Sequence, residues 1–432
     1  MSRSVLRSRT RLGVLRRIAA VAVVVTVALL AYSFVGTAIG DDGRQATGER
    51  DRPLVAAIDG TGPGQIVAFG ASGEVVHRNR SLWLYHDVDP SPRGSQTVTY
   101  VASGPAASRH CARDTCIENV VRRVNLTTGE GTVLHTWKGS LNGSAQFHDV
   151  DRIDESTLLV ADISFPDRVF AVNTTTDEVV WEWRVSEAYE PSSGGNYPGD
   201  WTHVNDVEYL PDGRVMVSLR NQDQVVFIEP GEGLQEDWTL GADGDHGVLY
   251  EAHNPDYIPA ERGGPAVLVA DSENNRIVEY ARRNGSWVRT WTWSDGRLQW
   301  PRDADRLPNG NTLVVDSHGE RIVSVAPSGE VAWSKPFPDG GYDAELLGTG
   351  DESAGGPSAT RAGLESRSRQ ITNPRVLAVS LVPPLVLHGA LFALPAWTSA
   401  FDATVLLAAG ALVTVWLVVE VAVRTRRRYR KR

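Results

Sequence analysis

The stretch W-T-H-V-N-D-V-E-Y-L-P-D-G-R-V-M-V-S-L-R, residues 201–220, decides the fold. It reads as a polar start at His203-Val204-Asn205, a short strand, an L-P-D-G hairpin turn at 210–213, and an apolar strand ending on Arg220. The same order recurs on both sides. Before it stands Q-F-H-D-V-D-R-I-D-E-S-T-L-L-V-A-D with His148-Asp149, and after it E-A-H-N-P-D-Y-I-P-A-E-R-G-G-P-A-V-L-V-A-D with His253-Asn254. His86-Asp87 and Arg302-Asp303 continue the series outward. The starts fall roughly 50 to 60 residues apart, the length of one four-stranded propeller blade.

The outer half of each unit repeats too. V-N-T-T-T-D-E-V-V-W-E-W (172–183), V-A-P-S-G-E-V-A-W-S (325–334) and V-N-L-T-T-G-E-G-T-V-L-H-T-W (124–137) are each a strand, a turn and a strand ending in tryptophan. Trp137, Trp183 and Trp333 are expected between neighbouring blades, where a large ring buries most area. Residues 54–79 supply three strands without a polar start. The missing strand is Y-D-A-E-L-L-G-T-G at 342–350, so joining the two ends closes a ring of six and removes an open sheet edge. The fold class is all-β: a six-bladed β-propeller over residues 40–350, followed by a linker over 351–375 whose part up to residue 370 reads as flexible.

Three apolar stretches flank this domain, each near the length that crosses a bilayer. They are 18–39 (a transmembrane helix or uncleaved signal anchor), 376–397 and 401–423, with basic tails at 1–17 and 424–432. The expected architecture is therefore an ectodomain with one N-terminal and two C-terminal transmembrane helices. Basic residues stay on the cytoplasmic side, yet both ends are basic and three crossings put them on opposite sides. Pro383 and Pro384 offer an escape, turning the second stretch into a re-entrant segment. Five N-x-S/T sites (Asn79, Asn125, Asn142, Asn173, Asn284) and the pair Cys111 and Cys116, read as a local disulfide, place the propeller outside the cytoplasm of a multi-pass cell-membrane protein.

The net charge is −10, and because both ends are basic the soluble part is more acidic still. Only Lys138, Lys335 and Lys431 are lysines among 43 basic residues, an acidic and lysine-poor surface that suits high salt. Such a domain is not a nucleic-acid binder. Against this background the axis stands out. The leading blade positions hold His86, His148, His203, His253, Arg302 and Tyr342, and a hairpin folds Arg220 back beside His203. Imidazoles with guanidinium groups describe an anion site. A calcium site would use Asp149, Asn205, Asp206, Asn254 and Asp303 instead, although strand alternation turns Asp149, Asn254 and Asp303 away from their His or Arg neighbours. Three histidines could also hold zinc, but a guanidinium beside the metal argues against it. No metal is assigned and no cofactor is required, calcium staying open.

D-W-T-H-V-N followed by V-S-L-R (200–220) resembles the H-x-N…S-x-R blade of the bacterial arylsulfate sulfotransferases, and F-H-D at 147–149 and A-H-N at 252–254 resemble its neighbours. The resemblance is good over roughly residues 140–335 and poor in the first two blades. It implies an extracytoplasmic propeller that moves a sulfuryl group from an aryl sulfate to a phenolic or other hydroxyl acceptor without adenosine-phosphosulfate. It further implies that His253 is the nucleophile, passing through a sulfohistidine. His148, His203 and Arg220 would hold the sulfate oxygens, Asn205 takes the place of the motif asparagine, and His86, Arg302 and Tyr342 complete the substrate-binding ring. Where the family pattern has D-N-G after the nucleophile's hairpin, this chain has Asp271-Ser272-Glu273-Asn274. The alternatives are a non-catalytic propeller that binds an anionic or glycan ligand or scaffolds a membrane complex, and a metal-dependent propeller hydrolase.

Overall fold

The computed structural model describes residue 14 and residues 16–31, 52–59, 64–91, 95–106, 111, 116–140, 146–337, 340–348, 355–368, 374–394 and 398–429. They fall into two units: Gln45–Gln370, and the two chain ends Met1–Arg44 with Ile371–Arg432.

The first unit is the expected six-bladed propeller. Five blades are consecutive antiparallel sheets, and the sixth joins Gly341–Leu346 to Leu54–Ile58, Gln65–Phe69 and Val75–Asn79. Inner strands such as Leu54–Ile58 and Thr312–Asp316 are buried throughout, because blades cover both faces and select continuous apolar runs. The outermost strand Val75–Asn79 is partly exposed. Each of six apolar clusters fills one gap between neighbouring blades. Trp183 and Trp333 pack into these gaps. Trp137 does not: it is 39% exposed and carries the Arg168 guanidinium 5.5 Å from its ring centre.

Every innermost strand carries a one-residue bulge near its start. The register slips between Tyr85 and Asp87, Phe147 and Asp149, Val204 and Asp206, His253 and Asp256, and Pro301 and Asp303, and opposite Ala57 and Ile58 in the closing strand. A bulge brings successive residues to one side. Asp149, Asn254 and Asp303 therefore do not turn away as alternation predicts; they line a small axial cavity with Asp87, Asp206 and Asp343.

These carboxylates also do structural service. The axial edge of an innermost strand has backbone N–H groups with no ladder partner, and buried donors need one. The neighbouring blade supplies it: Val207 N donates to Asp149 at 2.6 Å, Tyr209 N to Asp151 at 2.6 Å, Val88 N to Asp343 at 2.7 Å and Tyr257 N to Glu208 at 2.8 Å.

Composition suggests flexibility over 351–370, but residues 355–368 are strapped to the propeller. Arg367 exchanges backbone hydrogen bonds with Thr292 and Ser294, each 2.9 Å. The turn of helix Ala359–Ala362 is capped by Ser358, and Ala359 N donates to Glu279 at 2.8 Å. Glu279 in turn pairs with Arg306 at 3.1 Å, both fully buried.

In the second unit, residues 16–31 are helical; the remainder of the expected 18–39 span and most of the 1–17 tail lie outside the described residues. The stretch 376–397 is not one helix. It divides into Pro374–Ser380 and Pro384–Ala393, because proline lacks the N–H that continues a helix and bars its predecessor from helical geometry. Among the described residues one helix, Ala400–Thr425, is long and apolar enough to cross a membrane. Near its end Glu420 pairs with Arg16 at 2.5 Å and Arg424 at 3.0 Å.

Candidate active site

The bulges correct the blade alignment at one position. The N–H groups of Asn221, Glu273 and His318 donate to the carbonyls of Thr202, Tyr250 and Gln299, each three residues before Asn205, His253 and Arg302. The equivalent leading residues are thus His86, His148, Asn205, His253, Arg302 and Tyr342. His203 lies two residues upstream of Asn205. It shares its place with Glu251 and Trp300, and all three adopt positive φ, 49°, 44° and 49°. Left-handed backbone is uncommon without glycine, and holding it costs about 1 kcal/mol or more. Nothing in the string H-V-N marks that register, which is why periodicity alone misplaces His203.

Tyr342 is the hub of the cluster. Its ring lies 5.1 Å from His86, 6.0 Å from His148 and 6.0 Å from His253, with the Arg302 guanidinium 4.6 Å away. His148 stacks on His86 at 4.3 Å and meets His203 edge-on at 4.7 Å. Arg220 Nη1 donates to His203 Nε2 at 3.2 Å. The four histidines, two arginines and tyrosine expected at the axis are therefore brought together. Asn205 is not among them. It donates to the Ala252 carbonyl at 3.0 Å, as Ser218 Oγ does at 3.4 Å, so two residues of the H-x-N…S-x-R pattern brace the strand that presents His253.

Hydrogen-bond polarity settles two tautomers. His253 Nδ1 faces the Glu251 carbonyl at 3.1 Å, an acceptor only, and Ser272 Oγ at 2.8 Å. Ser272 gives its own proton to the Pro301 carbonyl at 2.7 Å. His253 Nδ1 therefore carries hydrogen, and its Nε2 lone pair has no partner among the described residues. His203 Nδ1 donates to Asp200 at 2.5 Å, leaving Nε2 to accept from Arg220. His148 meets the Tyr342 hydroxyl at 3.0 Å through Nδ1, and its buried Nε2 has no partner among the described residues.

Burial, reinforced by Arg302 and Arg220, holds His253 well below the usual histidine range. Burial, then His86 and His203, does the same to His148. Burial and Arg220 bring His203 down to about 4, against the pull of Asp200. Burial pushes Asp200 up, but the hydrogen bond and charge of His203 and the charge of Arg220 outweigh it, leaving a pKa of about 2. At neutral pH these three imidazoles are uncharged, and Arg220 and Arg302 supply permanent positive charge at the site. Asp59 is 3.3 Å from His86 Nε2 and 3.5 Å from Arg302 Nη1.

Sequence reasoning missed Asp59, Asp200, Glu251, Trp300 and a role for Ser272. Asp200 had a signal, an acid three residues before a site histidine. Ser272 was visible as the departure from D-N-G. Glu251 and Trp300 had none, being displayed by backbone twist. Of the groups named for calcium, Asp149 and Asp303 each commit an oxygen to a peptide N–H, while Asn205 Oδ1 has no partner among the described residues. Among the described residues no group of three or more His, Cys, Asp or Glu side chains is placed to hold a metal ion. Cys111 and Cys116 form the expected disulfide.

A closed propeller that gathers imidazoles and guanidinium groups at its axis defines a class: a β-propeller protein with a polar cluster at the centre of its ring. The family model of arylsulfotransferase (ASST) matches residues 65–252, which supports the likeness of this chain to that family. The match starts earlier than the motif resemblance does, and it ends one residue before His253. No curated protein matches the chain. Similar solved structures include a protein of unknown function from Bacteroides caccae (14% identity, 66% of this chain and 93% of that one, TM-score 0.45). A periplasmic gluconolactonase of Pseudomonas aeruginosa is comparable (16% identity, 68% and 99%, TM-score 0.44). Likenesses this distant say nothing about substrate.

Proposed function

We propose that the protein transfers a sulfuryl group from an aryl sulfate to a phenolic or other hydroxyl acceptor, with His253 as the nucleophile. The observation that carries this reading is the His253 tautomer. Nδ1–H is held by Ser272 and the Glu251 carbonyl, so the Nε2 lone pair is free in a neutral ring beside two arginines. A neutral imidazole is the nucleophilic form. In the first half-reaction the Nε2–S bond forms as the S–O bond to the phenol breaks, and the phenolate departs. Arg220 and Arg302 carry the spread negative charge of the transferring group, as cations do in phosphoryl transfer. In the second, the acceptor oxygen attacks sulfur, the N–S bond breaks, and the acceptor proton passes to His148 Nε2. His203 acts by holding Arg220 at 3.2 Å, itself anchored to Asp200.

Full-length protein in detergent, given a chromogenic aryl sulfate and a phenol without nucleotide, should release the chromophore with ping-pong kinetics. Donor alone should leave intact protein heavier by one SO3 group, and His253→Asn should abolish both signals. Turnover that survives in His253→Asn would sink the assignment.

The membrane reading is amended too. We infer two crossings, by the helices holding residues 16–31 and 400–425, with the proline-broken 374–393 segment re-entrant. The Arg16–Glu420 pair supports this, since it sets the N-terminal basic end beside the C-terminal one. Both then face the cytoplasm, as the positive-inside tendency asks, and the propeller lies outside. A membrane-impermeant label on a cysteine added near residue 3 and another near residue 430 should react in neither case with intact cells.

A further inference from the structure

A second cavity opens next to Arg220. It is a cleft of about 350 Å3 lined by Gly194, Asp200, Arg220, Asp243, Tyr250 and Glu251 among others. That is the size of a small-ligand pocket. Its inner end is the guanidinium that His203 holds, flanked by Asp200 and Glu251. Its wall carries a flat platform, Tyr250 stacked on His246 at 3.7 Å and 8°, with His246 half-exposed. The charges are lopsided. Asp200 answers to His203 and Arg220, and Asp223 to His246 at 3.2 Å and to the N–H groups of Gly244 and Glu251. Asp243 accepts one N–H, from Gly194 at 3.0 Å, and pairs with no cation among the described residues.

Resting on the sulfuryl-transfer reading, we propose that this cleft receives the organic part of the acceptor and selects an aryl compound carrying an ammonium group over one carrying a carboxylate. The aromatic ring lies on the Tyr250–His246 platform, the hydroxyl points inward toward Arg220, and the ammonium meets Asp243. A carboxylate at the same place would face Asp243 beside Asp223 and Glu251, with Arg220 and His246 already paired to acids. An uncharged aryl alcohol has the platform alone.

Three acceptors of similar shape test this: tyramine, para-ethylphenol and para-hydroxyphenylacetate, with para-nitrophenyl sulfate as donor and the full chain in detergent. The KM for tyramine should lie about five- to tenfold below that for para-ethylphenol, the scale of one partly exposed charge pair. The hydroxyphenylacetate should be the poorest, and high salt should compress the series. Asp243→Asn should remove most of the tyramine advantage, bringing its KM to within about twofold of that for para-ethylphenol measured with the same variant. Equal KM values for all three, with sulfate still transferred, overturn the cleft assignment and leave the transfer reading standing. If no acceptor is sulfated, the transfer reading fails, and calorimetric titration with tyramine decides the cleft. Binding that Asp243→Asn weakens supports it, and absence of binding overturns it.

Discussion

At the scale of single residues, the site works by fixing which nitrogen carries hydrogen. Ser272 and the Glu251 carbonyl together force the proton of His253 onto Nδ1. Ser272→Ala removes the side-chain acceptor and leaves the carbonyl, so kcat should fall by roughly tenfold, less than the 100-fold or more that loss of a general base itself costs, with KM little changed. A rise in KM with kcat intact would mean that Ser272 touches substrate rather than His253. The pH profile is set by the same burial. His253 is held well below the usual histidine range, so it stays neutral and nucleophilic as the pH drops past 6.5. The acid limb of kcat/KM should accordingly lie well below pH 6.5; a limb centred there would indicate a solvated imidazole as the essential base. Arg220→Lys keeps the charge but loses the planar fork, and should cost about 100-fold in kcat, comparable to removing one oxyanion donor.

At the scale of elements, the bulge at the head of each innermost strand is the device that makes the site. It turns His86, His148, His253, Arg302 and Tyr342 onto the axis and the following acids with them. The hairpin logic, the blade count and the closing strand at 342–350 were all legible from turn residues and apolar runs, because those are local. The bulge was not, since an extra residue in a ladder is defined by the partner strand and leaves no mark of its own. The strap at 355–368 escaped for a similar reason: its polar, glycine-rich composition reads as linker, while its order comes from contacts with Thr292, Ser294, Glu279 and Arg306. Glu279→Gln leaves Arg306 buried without its counter-charge and should destabilise the protein by about 3–5 kcal/mol. Denaturant unfolding checks the loss, and hydrogen exchange at residues 358–364 should rise along with it.

At the scale of the whole molecule, the ring concentrates carboxylates along its axis, and their mutual repulsion is stored in the fold. Burial and neighbouring charges raise Asp149 and Asp343 to about 7, and Asp87 and Asp206 well above the ordinary carboxylate range. A raised folded-state pKa adds stability in full below the unfolded value, and that stability is lost as the pH climbs through the folded value. The depressed imidazoles oppose this only in part and only to about pH 7.5, because the unfolded ones are half-protonated at 6.5 and neutral about a unit above it. The melting temperature should therefore fall as the pH rises from 6.5 to 8. Asp87→Asn removes one of these raised acids, whose Oδ2 has no partner among the described residues, and should raise the melting temperature at pH 8 by roughly 2–4 °C, the effect of about 1 kcal/mol in a domain of this size. The gain should shrink at pH 5, nearer the ordinary carboxylate range, where a raised pKa costs the wild type less. What the sequence determined by itself was the architecture: hairpin turns, apolar strands and a repeat length are properties of short segments, and they imply six blades and the identity of most axial residues. Which atoms meet was decided only by the tertiary structure. Ring closure and the bulges bring together groups from six separate blades, and tautomer, charge state and cleft follow from that meeting rather than from any one segment.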